Sequence, residues 1–173
     1  MRFVILGRVA PGDEEGERYR QKFEELHRDY RNKVCFLNIE YTNMTREEDE
    51  WYEHLIYAGA DAFLMPSLFE PCGLSQQQSH RYGTLPIVRA TGGLVDTVAS
   101  HDAPGGKGDG FVFEKPSGED MIENGVKKAL EVYERERETT WRELMRNAMR
   151  RDHTWFTSAK RYEELYYLCQ KAI

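Results

Sequence analysis

The sequence predicts an α/β fold, an open and mostly parallel sheet with helices on both faces. Three observations carry this reading. Short apolar runs at Phe3–Leu6, Val34–Leu37, Ala62–Met65 and Leu85–Val88 alternate with helical patterns, as βα units on a parallel sheet do. Each run is continuous in apolar character, which suits strands covered on both faces. Turn residues then follow the runs: Gly7 with Pro11 and Gly12, Pro66, and Thr91-Gly92-Gly93. At 173 residues the chain has the size of one domain, roughly 100–200 residues, so a single domain over 1–173 is expected.

The elements can be justified in order. A charged helix after the first strand is expected to turn Phe23 and Leu26 inward. Thr45 and Glu48 have capping-box spacing, and Trp51, Leu55 and Ala58 recur behind them at helical spacing. A helix from about Gly73 to Tyr82 separates the third and fourth strands. Leu94, Val95 and Val98 open another helix after Thr91-Gly92-Gly93. Residues 101–110 hold five glycines and prolines in ten positions and form a loop before the strand Phe111–Phe113. Ser117 with Asp120 caps a helix on which Ile122, Val126, Ala129, Leu130 and Tyr133 repeat. A further helix is expected to bury Leu144, Met145, Ala148 and Met149 and to wet Arg142, Arg146 and Arg150. The last, about 154–171, aligns Trp155, Ala159, Tyr162, Tyr166 and Cys169 on one stripe, read as core packing.

Composition excludes several functions. The net charge of −6 argues against a nucleic-acid partner, which is gripped by clustered Lys and Arg. No apolar run approaches the roughly 18–20 residues of a membrane span, so no membrane association is expected. Cys35, Cys72 and Cys169 form no paired spacing, which fits a reducing, intracellular compartment. The five histidines show no metal-ligand spacing, so neither a metal nor a cofactor is expected. Gly105-Gly106-Lys107-Gly108 lacks the spacing of a phosphate loop and reads as a mobile surface loop.

In open parallel sheets ligands lie beyond the carboxyl ends of the strands. The segment after the third strand, Pro66-Ser67-Leu68-Phe69-Glu70-Pro71-Cys72-Gly73-Leu74-Ser75-Gln76, sets a carboxylate ahead of a helix N-terminus. Free backbone N–H groups at 73–76 and the positive end of the helix dipole suit a phosphate. A carboxylate beside an anion site suits a ligand with hydroxyls on one side and phosphate on the other, such as a sugar nucleotide. Glu70 and Ser75 also suit a simple helix cap, and Cys72 suits a small packed residue. Thr91, Gly92 and Gly93 form a second glycine turn at the same sheet edge, where glycine serves either a ligand or the turn itself.

The stretch from Asp61 to Val98, with Phe69-Glu70-Pro71-Cys72-Gly73-Leu74, then Tyr82-Gly83, then Thr91-Gly92-Gly93-Leu94 and Asp96-Thr97-Val98, resembles bacterial glycogen synthases and plant starch synthases. Weaker similarity runs over the rest of the chain. The resemblance implies a Rossmann-like domain, the donor-nucleotide half of a two-domain GT-B glycosyltransferase. It implies retaining transfer of glucose from ADP-glucose to an α-1,4-glucan, without a metal, in the cytoplasm or, in a plant, the plastid. Glu70 is implied as the catalytic carboxylate on the donor glucose. Backbone groups of Cys72, Gly73 and Leu74, with Ser75, are implied to meet sugar and phosphates, and Tyr41 the adenine. A second glutamate that related transferases carry eight positions after the first is Gln78 here.

The same resemblance places a phosphate-clamping arginine and lysine, and the acceptor-binding domain, ahead of residue 1, and lets the helix at 154–171 cross to that domain. The chain by itself is therefore expected to be inactive, with its glucan partner engaged only alongside the absent half. Two alternatives stay open: a non-catalytic nucleotide- or glucan-binding module with this fold, and a related transferase using UDP-glucose.

Overall fold

The computed structural model describes residues 1–7, 9–38 and 45–171. Internal contacts divide the chain into two compact units, Met1–Gly59 and Ala60–Ile173.

In the first unit β1 (Phe3–Gly7) pairs in parallel with β2 (Val34–Asn38), with Phe3 opposite Val34 and Leu6 opposite Leu37. Between them runs α1 (Glu14–Asp29). Asp13 caps it by accepting from the Gly16 amide at 2.9 Å. Glu14, Glu15 and Glu17 fill its first turn and His27 and Arg28 its last, each sign placed where the helix dipole favours it. Phe23 meets Phe36 of β2 with ring centroids 5.6 Å apart. Leu26 departs from expectation at 40% exposed. The capping box forms ahead of α2 (Arg46–Gly59): the Thr45 amide donates to Glu48 at 2.8 Å, and the Glu48 amide to Thr45 Oγ1 at 3.2 Å. Trp51 and Leu55 of α2 are exposed, and among the described residues of this unit only Tyr57 is buried. A two-stranded sheet has too little face to enclose the apolar stripes of both helices.

The second unit holds the core. Its sheet runs in the order β3 (Ala62–Met65), β4 (Leu85–Arg89), β5 (Phe111–Phe113), all parallel, with Ala62 opposite Leu85 and Ile87 opposite Phe111. Four consecutive residues of the central strand, Leu85, Pro86, Ile87 and Val88, are buried, because both of its faces are covered. One face packs Leu85, Ile87, Phe111 and Phe113 against Ala129, Trp141, Leu144 and Ala148; the other gathers Val88, Leu94 and Val98. Trp141 stacks on Phe111 at 5.9 Å and meets Tyr133 edge-on at 5.0 Å. Each buried aromatic of this kind contributes on the order of 2–3 kcal/mol.

The helices of this unit are α3 (Ser75–Tyr82), α4 (Gly93–Thr97), α5 (Gly118–Asp120), α6 (Lys127–Arg135), α7 (Arg142–Arg150) and α8 (Trp155–Lys171). π-helical stretches at Met121–Val126 and Arg137–Trp141 lead into α6 and α7. Ser117 accepts from the Asp120 amide at 3.2 Å, as its spacing predicts. Asp120 in turn accepts from the Lys115 amide at 2.7 Å, from Asn124 Nδ2 at 2.6 Å and from the Glu114 amide at 2.9 Å, and these bonds hold its carboxyl below the usual carboxylate range.

Three expectations need correction. Met149 on α7 is 49% exposed, whereas Leu144 and Ala148 are buried as predicted. No residue of α8 is buried, and Trp155 is 75% exposed, so its aromatic stripe is not core packing. The glycine-rich loop is pinned: Asn147 Nδ2 donates to the carbonyls of Gly106 and Gly108 at 2.7 and 2.9 Å, and Gly108 is buried. Among the described residues, no helix is long and apolar enough to cross a membrane.

Candidate functional site

The chain leaves β3 at Met65 and reaches α3 at Ser75. The loop between them carries Glu70, Cys72, Gly73 and Leu74, and its apolar tip turns to solvent, with Leu68 at 73%, Phe69 at 74% and Leu74 at 67% exposure. Burial therefore does not fix this loop; hydrogen bonds do. Arg89, at the end of β4, donates Nε to the Ser67 carbonyl at 2.8 Å and Nη2 to the Leu68 carbonyl. The Gly93 amide donates to the Glu70 carbonyl at 2.9 Å. Gln76, wholly buried, donates Nε2 to the carbonyls of Cys72 and Gly73 at 3.2 and 2.7 Å. The same nitrogen reaches Thr97 Oγ1 at 2.9 Å, which donates on to the Gly93 carbonyl at 2.7 Å.

With these carbonyls committed, no acceptor among the described residues meets the amides of Cys72, Gly73, Leu74 or Ser75. No side chain caps α3, so Ser75 and Glu70 are not its caps. The first turn of α3 keeps its N–H groups and the positive end of its dipole available for an anion. Gly73 has φ +76°, and a side chain there would strike the Gln76 amide. Glu70 is half-buried, and its carboxylate makes no hydrogen bond or ion pair with another described residue. Cys72 is exposed rather than packed.

Gly92 and Gly93 of the second glycine turn come together with the Glu70 loop. A Cβ on Gly92 (φ +46°) would collide with the Glu70 carbonyl oxygen, and one on Gly93 with the Cys72 carbonyl. The space these glycines keep open is filled by the Glu70 loop. Tyr41 lies outside the described residues. Arg81 donates to the Met149 carbonyl at 3.2 Å.

Spacing along the chain gave no sign of a buried polar cluster behind α3. His80 of α3 is fully buried, and its Nδ1 lies 3.1 Å from His153 Nε2, 73 residues away in sequence. His80 Nε2 lies 3.7 Å from Asp109 Oδ1 and makes no hydrogen bond. That carboxylate favours the tautomer with the proton on Nε2, leaving Nδ1 to accept from His153. Asp109 accepts from the Ala99 amide at 2.7 Å and pairs with the Arg151 guanidinium, which also donates to the Asp96 carbonyl at 2.7 Å. Desolvation pushes the His80 pKa down to about 4, against a smaller opposing pull from Asp109. Desolvation, followed by the Arg151 charge, also lowers that of His153. The cluster ties α3 and α4 to the segment between α7 and α8. Among the described residues, no three His, Cys, Asp or Glu side chains group to hold a metal ion.

Comparison with known proteins agrees with this architecture. The glycogen synthase of Koribacter versatilis is 45% identical over 164 residues, 95% of this chain and 30% of the relative. That of Fusobacterium nucleatum is 43% identical over 166 residues, 96% of this chain and 32% of the relative. The chain thus spans about a third of the length of these relatives. The catalytic domain of starch synthase IV from Arabidopsis thaliana, bound to ADP and acarbose, superposes with a TM-score of 0.64 at 27% identity, over 96% of this chain and 38% of that one. A sucrose-phosphate synthase from Thermosynechococcus elongatus shares the fold at a TM-score of 0.60 and 22% identity, over 98% of this chain and 39% of that one. The Rossmann-like α/β class expected from the sequence is therefore the fold. Residues 1–147 match the profile of glycosyl transferases group 1, and the chain belongs to that family.

Proposed function

We propose that the chain is the donor-binding part of a retaining glucosyltransferase that moves glucose from ADP-glucose to the end of an α-1,4-glucan. The observation that carries this reading is the Glu70 loop: a carboxylate and four neighbouring amides that meet no partner among the described residues, beside a helix N-terminus. Glu70 orients the glucose hydroxyls and stabilises the positive charge that develops on the sugar as the diphosphate departs. The amides of Cys72, Gly73 and Leu74, with Ser75, take the sugar and the distal phosphate. Tyr41 is assigned to the adenine on the resemblance alone. Relatives named glycogen synthase at 43–45% identity support the transfer class.

The chain corresponds to about a third of those relatives, so the 173-residue polypeptide is expected to show no useful glucan elongation and to meet glucan only together with the rest of such a protein. A cytoplasmic location belongs to the same reading. The test is calorimetric titration of this chain with ADP, UDP and ADP-glucose, repeated on Glu70→Ala. ADP-selective binding, with only the sugar-dependent gain lost in the variant, supports the assignment. Preference for UDP transfers it to a UDP-glucose enzyme, and binding of ADP and ADP-glucose with equal affinity before and after substitution removes Glu70 from the sugar.

A further inference from the structure

We infer that Arg89 is a positioning residue that presets the Glu70 loop. This rests on the donor-site reading above only for its ligand measurement. The loop of residues 66–74 crosses the carboxyl end of β3, and its larger apolar side chains, Leu68, Phe69 and Leu74, are all mostly exposed. A loop without buried apolar side chains depends for its order on its polar contacts and on the close backbone packing against Gly92 and Gly93. Two of those contacts lie on its amino-terminal arm, at Ser67 and Leu68, and both come from the Arg89 guanidinium. The carboxyl-terminal arm is held separately, by Gln76 at Cys72 and Gly73 and by the Gly93 amide at Glu70. Glu70 stands between the two arms, so its direction is set by both.

Arg89 is well placed for this. Its neighbour Val88 is opposite Met65, the last residue of β3, so Arg89 emerges beside the point where the loop begins. Its own position is rigid: β4 is the central strand, and Arg89 is opposite Phe113 of β5. The planar guanidinium offers Nε and Nη2 in a fixed fork that meets two successive carbonyls at once. A lysine ammonium on a flexible stem can reach one of them. The bond to Leu68 is exposed and that to Ser67 only part-buried, so losing Arg89 costs modest desolvation and frees the loop instead of unfolding the sheet.

The experiment compares the 173-residue chain with Arg89→Met and Arg89→Lys. The first measurement is hydrogen exchange of the Gly93 amide, which is bonded to the Glu70 carbonyl. The reference is the Leu85 amide, bonded to the Asp61 carbonyl at 3.1 Å within the core. The second is the gain in affinity of ADP-glucose over ADP. In Arg89→Met the Gly93 amide is expected to exchange about tenfold faster, and the sugar-dependent gain to fall by about the same factor, as loss of one to two hydrogen bonds implies. Leu85 exchange and ADP affinity stay as in the parent chain, and Arg89→Lys recovers part of both losses. Unchanged Gly93 exchange in Arg89→Met overturns the inference. So does acceleration that appears equally at Leu85, which would make Arg89 a residue of general stability. If the parent chain binds neither nucleotide, the donor-site reading fails, and the Gly93 measurement still decides the role of Arg89.

Discussion

The amide of Gly93 donates to the carbonyl of Glu70 at 2.9 Å, and this bond joins two turns that sit on neighbouring strands of one sheet. The loop after β3 supplies the carboxylate and the open amides. The turn after β4 supplies the surface on which that loop rests. Gly92 and Gly93 are glycine because the Glu70 and Cys72 carbonyls fill the space a side chain would need. The backbone that carries the Glu70 carboxylate is thus held by the turn of the neighbouring strand.

Gly92→Ala tests this support directly. The new methyl group would meet the Glu70 carbonyl, and φ of +46° is unfavourable for any L residue. The backbone conformation costs roughly 1–2 kcal/mol and the clash adds to it. Urea unfolding should show a loss of about 2 kcal/mol or more, and any ADP-glucose binding should weaken more than binding of ADP. Stability within about 0.5 kcal/mol of the parent, the range of an ordinary surface change, would mean that the two turns are not mechanically joined.

The buried imidazole makes stability depend on pH. His80 is held neutral, with its pKa pushed down to about 4 from 6.5. The unfolded chain takes up a proton at this site below pH 6.5 and the folded chain does not until near pH 4, so stability is lost as pH falls through that window. The size of the shift corresponds to about 3 kcal/mol. Urea midpoints measured from pH 7.5 to pH 4 should fall more steeply in the parent chain than in His80→Leu. Parallel curves for the two proteins would show that the desolvation of His80 is not felt in folding.

How much of this could be read in the sequence depends on how far apart the partners lie. The loop from Pro66 to Gln76 and the turn Thr91-Gly92-Gly93 are contiguous segments between clear apolar runs, so their places after β3 and β4 were legible. The Thr45–Glu48 and Ser117–Asp120 caps were legible because capping is a three-residue affair. Arg89 grips carbonyls 21 and 22 residues away, and His80 meets His153 across 73 residues. Those contacts exist only once the sheet has formed, and no local pattern announces them. Periodicity failed in another way at α8. It identifies a stripe but not a covering surface, so Trp155, Tyr162 and Tyr166 read as core and are exposed.

The Asp109–Arg151 pair should prove more important than a surface ion pair. The Asp109 side chain is 4% exposed and that of Arg151 is 29% exposed, so removing the arginine leaves a buried carboxylate that, among the described residues, accepts only from the Ala99 amide, with His80 Nε2 3.7 Å away. Losing one partner of a fully buried pair costs about 3–5 kcal/mol. Discounted for the solvent that reaches Arg151, about 1–3 kcal/mol is expected for Arg151→Ala. Because Arg151 also holds the Asp96 carbonyl, Arg151→Lys should recover only part of the loss. Thermal unfolding decides it: a drop of several degrees for alanine with partial recovery for lysine is expected, and no drop would mean the pair is neutral in the folded balance.

Helix α8 leads to a prediction about association. Trp155, Phe156, Leu165, Tyr166, Tyr167 and Leu168 are each more than half exposed, and Trp155, Tyr162 and Tyr166 run along one side with successive ring centroids 6.4 Å apart. Contiguous exposed apolar surface of this kind favours association. Since these side chains are unburied, Trp155→Ser with Tyr166→Ser should change the stability of the chain by less than about 0.5 kcal/mol. Sedimentation velocity over a hundredfold range of concentration should show the parent chain moving toward larger species and the double variant staying monomeric. A parent chain that stays monomeric at the highest concentration would show that aromatic exposure along α8 is too discontinuous to hold two copies together.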